Sequence, residues 1–350
     1  METKLVKIHQ IEESQEEIEE AAQLIRRGEV VAFPTETVYG LGGNGWKQDA
    51  VRKIYEAKGR PSDNPLILHI CDMEMIGELA KEVPESAKKA MEHFWPGPMT
   101  VILKKSDKVP GCVTGGLDTV AVRMPSDETA RELIRRSGVP IAAPSANTSG
   151  RPSPTKAEHV WEDLNGKIPM ILDGGAVKVG VESTIIDFTV EPPVILRPGR
   201  ITKKALEDVI GCPSEMNTSM KETDGGVPKA PGMKYKHYAP KARMILVLGS
   251  SREKVTEKIN ELVSEARSRG QRTGVMATDE SEAYYQADEV VSVGTRKNME
   301  TVMANLYDVL RGFDDRGVEI IYSEGFEGEP LEEAVMNRLV KAAGHEIIRV

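Results

Sequence analysis

Cysteine is scarce in this chain. Cys71, Cys112 and Cys212 are the only three among 350 residues, and no two stand in a C-x-x-C spacing. That excludes a zinc-ribbon or disulfide framework and fits a reducing compartment. Long apolar runs are missing too. Stretches such as 244–248 fall far short of the ~20 residues that a membrane helix needs. The start, Met1-Glu2-Thr3-Lys4, soon turns acidic and shows no secretory signal, so a cytoplasmic location is expected. There is no G-x-x-x-x-G-K-[ST], which excludes a P-loop nucleotidase. There is no G-x-S-x-G elbow, and the six histidines form no H-x-H or H-x-x-x-H pair, so neither a serine-hydrolase elbow nor a built-in metal site is expected. An excess of basic residues is also absent. The net charge is −9, and the chain is acidic on both sides of Ile210. Bulk charge therefore recruits no nucleic acid, and an anionic ligand needs a local cluster of cations.

What is present describes a globular α/β chain. Apolar residues make up 39% and charged residues 29%, and the length suits two domains. Ile18, Ala21, Ala22 and Ile25 recur at helical spacing over 14–27, with glutamates at the start, Arg26 and Arg27 at the end and Gly28 as the stop. Strands are expected at 30–33, 66–70, 100–103, 119–123, 140–143, 170–172, 183–188 and 194–196, with helices at 48–57, around 87–94 and at 202–210. From 211 to about 240 periodicity stops and Ser, Thr, Asn, Gly and Pro dominate. Loops that long are usually functional or disordered. The second half of this linker carries Lys229, Lys234, Lys236, His237, Lys241 and Arg243, with no acidic residue from 228 to 243. Strands and helices then alternate to residue 343, as in a small parallel sheet. The expected domains are 10–210, a linker or lid at 211–242, and 243–350.

Several motifs admit two readings. Gly40-Leu41-Gly42-Gly43-Asn44-Gly45 matches G-x-G-x-x-G, but the dinucleotide fingerprint needs a strand running straight into its first glycine. Here Pro34 to Tyr39 intervene, so a glycine-rich turn is expected instead. Lys58-Gly59-Arg60 followed by Pro61 and Pro65 reads as a helix C-cap or as an anion clamp. Ala142 to Gly150 leaves a buried strand for small hydrogen-bonding side chains, which suits either a turn or a pocket floor. His69 stands inside an apolar strand. Arg123 ends another, where its charge requires an anionic partner, either a ligand carboxylate or an Asp or Glu of the fold. Arg197 repeats that theme.

The combination of these pieces resembles a known family. Lys58-x-Arg60 with Ser145-x-Asn147 is similar to the KxR…SxN signature of the YrdC-like threonylcarbamoyl-AMP synthases. Pro34-Thr35-Glu36-Thr37-Val38-Tyr39-Gly40-Leu41, Phe94 to Thr100, Arg123-Met124-Pro125, Pro144 to Gly150, Ser183-Thr184-Ile185 and Arg197-Pro198-Gly199 follow in that family's order. Residues 231–240 and the small α/β domain beyond them resemble its long Sua5 form. The resemblance implies a twisted mixed YrdC-like sheet with helices, followed by a small parallel, Rossmann-like C-terminal domain. It implies an enzyme, a nucleotidyltransferase that makes L-threonylcarbamoyladenylate and pyrophosphate from L-threonine, bicarbonate and ATP, the first step toward the t6A modification of tRNA. Mg2+ would be carried by the nucleotide, with no dedicated protein site. Lys58, Arg60, Ser145 and Asn147 would form the signature. Arg60, Asn64, Thr119, Ser145, Ser153, Arg197 and His237 would contact ATP. Thr37, His69, Arg123, Ala143 through its backbone, and Ser183 would hold threonine. The expected partners are these small molecules, a downstream t6A transferase complex and weak tRNA contact. A non-catalytic RNA-binding protein is the alternative. A carbamoyl-transfer module of the hydrogenase-maturation type would need acylphosphatase and zinc-finger segments, which this chain lacks.

Overall fold

The computed structural model describes residues 2–217, 228, 237–328 and 331–350. Most of the expected lid, 218–227 and 229–236, lies outside the described residues. The chain forms two units, Met1–Ser149 with Pro154–Lys178 and Glu182–Tyr235, and Gly150–Ser153 with Val179–Val181 and Lys236–Val350.

In the first unit the strands are β1 (Lys4–Lys7), β2 (Val31–Phe33), β3 (Gly40–Asn44), β4 (Ile67–His69), β5 (Met99–Lys104), β6 (Thr119–Arg123), β7 (Ile141–Ala143), β8 (Met170–Asp173), β9 (Thr184–Asp187), β10 (Val194–Arg197) and β11 (Glu215–Met216). Among the described residues they make one mixed sheet in the order β1-β8-β2-β3-β7-β4-β6-β5-β9-β10-β11. The helix Gln15–Arg27 buries Ile18, Ala21, Ala22 and Ile25 and stops at Gly28, whose φ of 88° is left-handed. With helix Glu128–Ser137 it covers one face of β1, β8, β2, β3 and β7, closing over Val31, Phe33, Ile141 and Ala143. The main core fills the opposite face, around Leu68, Val101, Val122 and Ile186.

The structure departs from the expectations at several elements. The glycine run at 40–45 is largely β3, a buried strand rather than a turn. Its glycines admit close neighbours. A Cβ on Gly42 would lie 2.6 Å from Ile141 Cγ2 and 2.7 Å from Phe33 Cε1. The linker begins with β11, which pairs with β10 in parallel. Helices Glu128–Ser137 and Ala157–Leu164 were not expected, and neither was β1. β1 buries one side chain in four and so shows no alternation.

The second unit is built on β12 (Arg243–Leu248), β13 (Thr273–Ala277), β14 (Glu289–Ser292), β15 (Ile320–Glu324) and β16 (Ile347–Arg349). All are parallel, in the order β14-β13-β15-β12-β16. Each is buried or half-buried by helices Arg252–Ser268, Met299–Asp315 and Glu332–Ala342, as a parallel sheet requires. Arg311, 1% exposed, donates to the Pro152 carbonyl from Nη2 at 2.7 Å and from Nε at 3.2 Å. Among the described residues no helix is long and apolar enough to cross a membrane.

The contacts at Gly42 make a testable point. Gly42→Ala overpacks the β2–β3–β7 face and should cost about 1–3 kcal/mol of stability, read from the urea midpoint. A variant as stable as the parent would show that this packing has slack.

Candidate active site

The site begins with a row of register partners. His69 on β4 lies opposite Arg123 on β6, Arg123 lies opposite Thr100 on β5, and Thr100 lies opposite Ile185 on β9. Partners directly across a ladder share a face, as do residues two apart on one strand. His69, Arg123 and Thr100 therefore share a face with Ile67, Ala121, Ile102 and Ile185, which form a small apolar cluster of their own. Thr119 falls on that face as well, at the far end of β6 from Arg123. Four residues at ~3.3 Å each put the two about 13 Å apart.

Arg123 is 4% exposed and is held at three corners. Nη2 donates to Glu36 Oε1 at 2.7 Å, Nη1 to Thr37 Oγ1 at 2.8 Å and Nε to the Gly97 carbonyl at 3.4 Å. The anionic partner that its burial requires is thus a glutamate of the fold. Glu36, only 8% exposed, was not among the expected site residues. Two signals could have found it: an acidic residue beside Pro34 between two apolar strands, and a lone arginine ending a third. Thr100 was missed as well. Its hydroxyl lies 2.7 Å from that of Ser183. Arg197 donates to Ser183 Oγ and to its carbonyl, both at 3.1 Å, which brings Arg197, Ser183, Thr100 and Arg123 into one chain of neighbours.

A second assembly surrounds the signature loop. Helix Gln48–Lys58 ends at Gly59, φ 61°, and turns the buried Lys58 toward residues 145–147. Its Nζ donates to the Ser145 carbonyl at 2.5 Å and to the Asn147 carbonyl, with Asn147 Oδ1 at 3.4 Å. Ser145 Oγ donates to Asn147 Oδ1 at 2.5 Å, and the Lys58 carbonyl accepts from Ser149 N at 2.9 Å. Helix end and loop are stapled together. Arg60 reaches the Pro65 carbonyl at 3.3 Å and the Asn64 carbonyl at 3.5 Å, ahead of β4. Ala143, opposite Ile67 on β4, stands between the two assemblies. Twelve of the expected residues thus lie in the first unit, whereas Ser153 and His237 fall in the second.

His69 is 5% exposed. Burial, reinforced by the Arg123 guanidinium, pushes its imidazole down to about 3. It is neutral at working pH. Nδ1 lies 3.2 Å from the Ile67 carbonyl, and the Ile141 carbonyl is a second backbone partner of the ring. The Phe33 ring meets it edge-on at 6.0 Å.

Comparison with known proteins places this arrangement. Residues 23–199 match the family model of Sua5, YciO and YrdC proteins, described as telomere recombination, and residues 201–344 match the threonylcarbamoyl-AMP synthase C-terminal domain. A threonylcarbamoyl-AMP synthase of Pyrococcus abyssi is 52% identical over 330 residues, 94% of this chain and 95% of that one. One of Bacillus subtilis is 52% identical over 334 residues, 95% of this chain and 94% of that one. The crystal structure of Pyrococcus abyssi Sua5 complexed with L-threonine matches with a TM-score of 0.93 at 50% identity, covering 100% of both chains. The chain belongs to the Sua5/YrdC family. In this Sua5/YrdC chain the row on β4, β6 and β5 and the staple at Lys58 both lie within the first matched segment.

The neutral histidine has a measurable consequence. Its folded value lies below the ordinary 6.5, so on acidification the unfolded chain takes up this proton first. His69 should therefore contribute stability fully above about pH 6.5 and lose it progressively toward pH 3. His69→Gln should flatten the fall in stability over that window. Parallel denaturation curves at each pH for the two proteins would contradict a buried, neutral imidazole.

Proposed function

We propose that this chain is a threonylcarbamoyl-AMP synthase, converting L-threonine, bicarbonate and ATP to L-threonylcarbamoyladenylate and pyrophosphate, the first step toward t6A in tRNA. The observation that carries the reading is the polar row His69–Arg123–Thr100 on the same strand face as Thr119, in a chain whose 52%-identical relatives bear that synthase name.

In this reading threonine lies at the C-terminal ends of β4 and β6. Arg123 grips its carboxylate, Thr37 and Ser183 take its polar groups, the Ala143 backbone lines the pocket, and the neutral His69 meets its amine or hydroxyl. The nucleotide lies toward the other end, near Arg60, Asn64, Thr119 and Ser145. Arg197, bonded to Ser183, stands where the two substrates meet. The amine nitrogen of threonine attacks the carbon of CO2 and loses a proton, or attacks that of bicarbonate, whose C–O bond breaks so that its oxygen leaves as water; either route gives a carbamate. A carbamate oxygen then attacks the α-phosphorus as its bond to the bridging oxygen breaks, and pyrophosphate departs with that electron pair. No covalent enzyme intermediate is needed. The chain supplies proximity, exclusion of water from a labile carbamate and positive charge at the phosphates. Lys58 serves the signature by holding Ser145 and Asn147 in place.

Among the described residues no three His, Cys, Asp or Glu side chains gather as a metal site. In this reading Mg2+ would arrive on the nucleotide and neutralise part of its phosphate charge. Nothing in the comparisons favours the RNA-binding alternative, and the tRNA-side complex is proposed from the reaction product alone.

Pyrophosphate release from ATP should require both L-threonine and bicarbonate, with omission of either bringing it to background. Release that persists without one of them would overturn the synthase reading. Arg123→Ala should raise the KM for threonine by about a hundredfold, the scale of losing a charge-assisted bidentate contact, while changing the KM for ATP little. Equal effects on both would move Arg123 out of the amino-acid site.

A further inference from the structure

Glu36 touches none of the atoms at which the proposed chemistry occurs, yet the guanidinium at the centre of the row leans on it. Its two carboxylate oxygens have separate tasks. Oε1 accepts from Arg123 Nη2 at 2.7 Å, and Oε2 accepts from Ser126 N at 3.2 Å. Ser126 follows Arg123 by three residues. The carboxylate therefore bridges the side chain of Arg123 to the main chain just beyond it and cannot rotate without losing one of the two bonds.

The remaining corners of Arg123 are fixed by the same loop. Thr37 Oγ1 accepts from Nη1 and lies 2.9 Å from Thr35 Oγ1, which in turn donates to the Val38 carbonyl at 2.7 Å. A guanidinium carries five N–H groups. Three have the partners named above, and each terminal nitrogen retains one more. Those two remain for a second carboxylate. A guanidinium held in plane before the ligand arrives loses less side-chain entropy on binding it.

We propose that Glu36 is a positioning residue for amino-acid binding: it orients Arg123, by way of the Ser126 bridge, so that the guanidinium presents its outer N–H groups to the substrate's α-carboxylate. This rests on the synthase reading only in taking L-threonine as the ligand. A glutamate that merely neutralised a buried arginine would govern stability alone. A positioning glutamate governs the affinity for threonine and leaves the affinity for ATP.

The test is Glu36→Gln in the full chain. Glutamine keeps the volume but has one acceptor oxygen for two donors, so its amide NH2 faces either Arg123 or Ser126. L-Threonine binding by calorimetry, and the KM for threonine, should weaken by about tenfold or more, the scale of a broken buried charge contact, with the KM for ATP within about twofold of the parent. Glu36→Asp keeps the charge but not the reach and should fall between the two. It is read in the same way should E36Q fail to fold. Three results overturn the inference: unchanged threonine affinity, equal losses for threonine and ATP, or tighter threonine binding, which would make Glu36 a competitor for Arg123. A parent protein that binds threonine but releases no pyrophosphate defeats the synthase reading alone. A parent that does not bind threonine defeats both.

Discussion

An arginine that ends a strand inside a domain must be met by an opposite charge or the fold suffers, because removing a guanidinium from water without a partner costs several kcal/mol. Arg123 is met by Glu36, and the rest of the site follows from that contact. The pair ties the loop between β2 and β3 to the end of β6. Thr37 arrives at the guanidinium as part of the same loop, and the Thr35 hydroxyl braces it. The row His69–Arg123–Thr100 is then fixed by register rather than by flexible side chains, since each member is a strand residue opposite the next. Sites built on strands hold their geometry better than sites on loops.

The same face shows why one sheet can both bind and fold. Under helices Gln15–Arg27 and Glu128–Ser137 it is an ordinary apolar interface. On β4, β6, β5 and β9 it carries a separate, smaller cluster with a polar row at one end. On the opposite face the main core runs beneath both regions. These strands therefore pack the main core on one face and carry the polar row on the other. Their burial on both sides makes them read in sequence as continuous apolar runs with a single polar interruption.

That reading explains what the sequence disclosed. The strands at β4 to β6 were legible because their apolar runs are short and bounded, and the polar interruptions His69 and Arg123 stood out against them. The parallel C-terminal sheet was legible because helix and strand alternate there at regular length. β3 was not, because five residues that include three glycines carry no β-propensity. Their meaning lies in the Phe33 and Ile141 side chains packed against them, which no local pattern records. Helix Glu128–Ser137 was legible in principle. Asp127 caps it through the Ala130 N–H, Ala130, Leu133 and Ile134 repeat at helical spacing, and Gly138 stops it. Glu36 is the instructive miss. The sequence states that Arg123 needs an anion, but whether the anion belongs to a ligand or to the fold depends on a contact across 87 residues.

That distinction changes how the binding charge is understood. If a substrate carboxylate were the sole partner of Arg123, the empty protein would bury an unpaired cation and pay for it in stability between turnovers. With Glu36 in place the cation is already compensated, and in the proposed reading the substrate's carboxylate would add to a pair rather than complete one. Its grip then depends on the geometry of the remaining N–H groups more than on net charge. In the proposed reading, geometry also separates an α-amino acid from other small anions, because a carboxylate on Arg123 would leave the amine and side chain to meet His69, Thr37 and Ser183. In the proposed reading, an acidic chain holds a triphosphate and an amino acid side by side, and the internal carboxylate of Glu36 compensates Arg123 before either arrives.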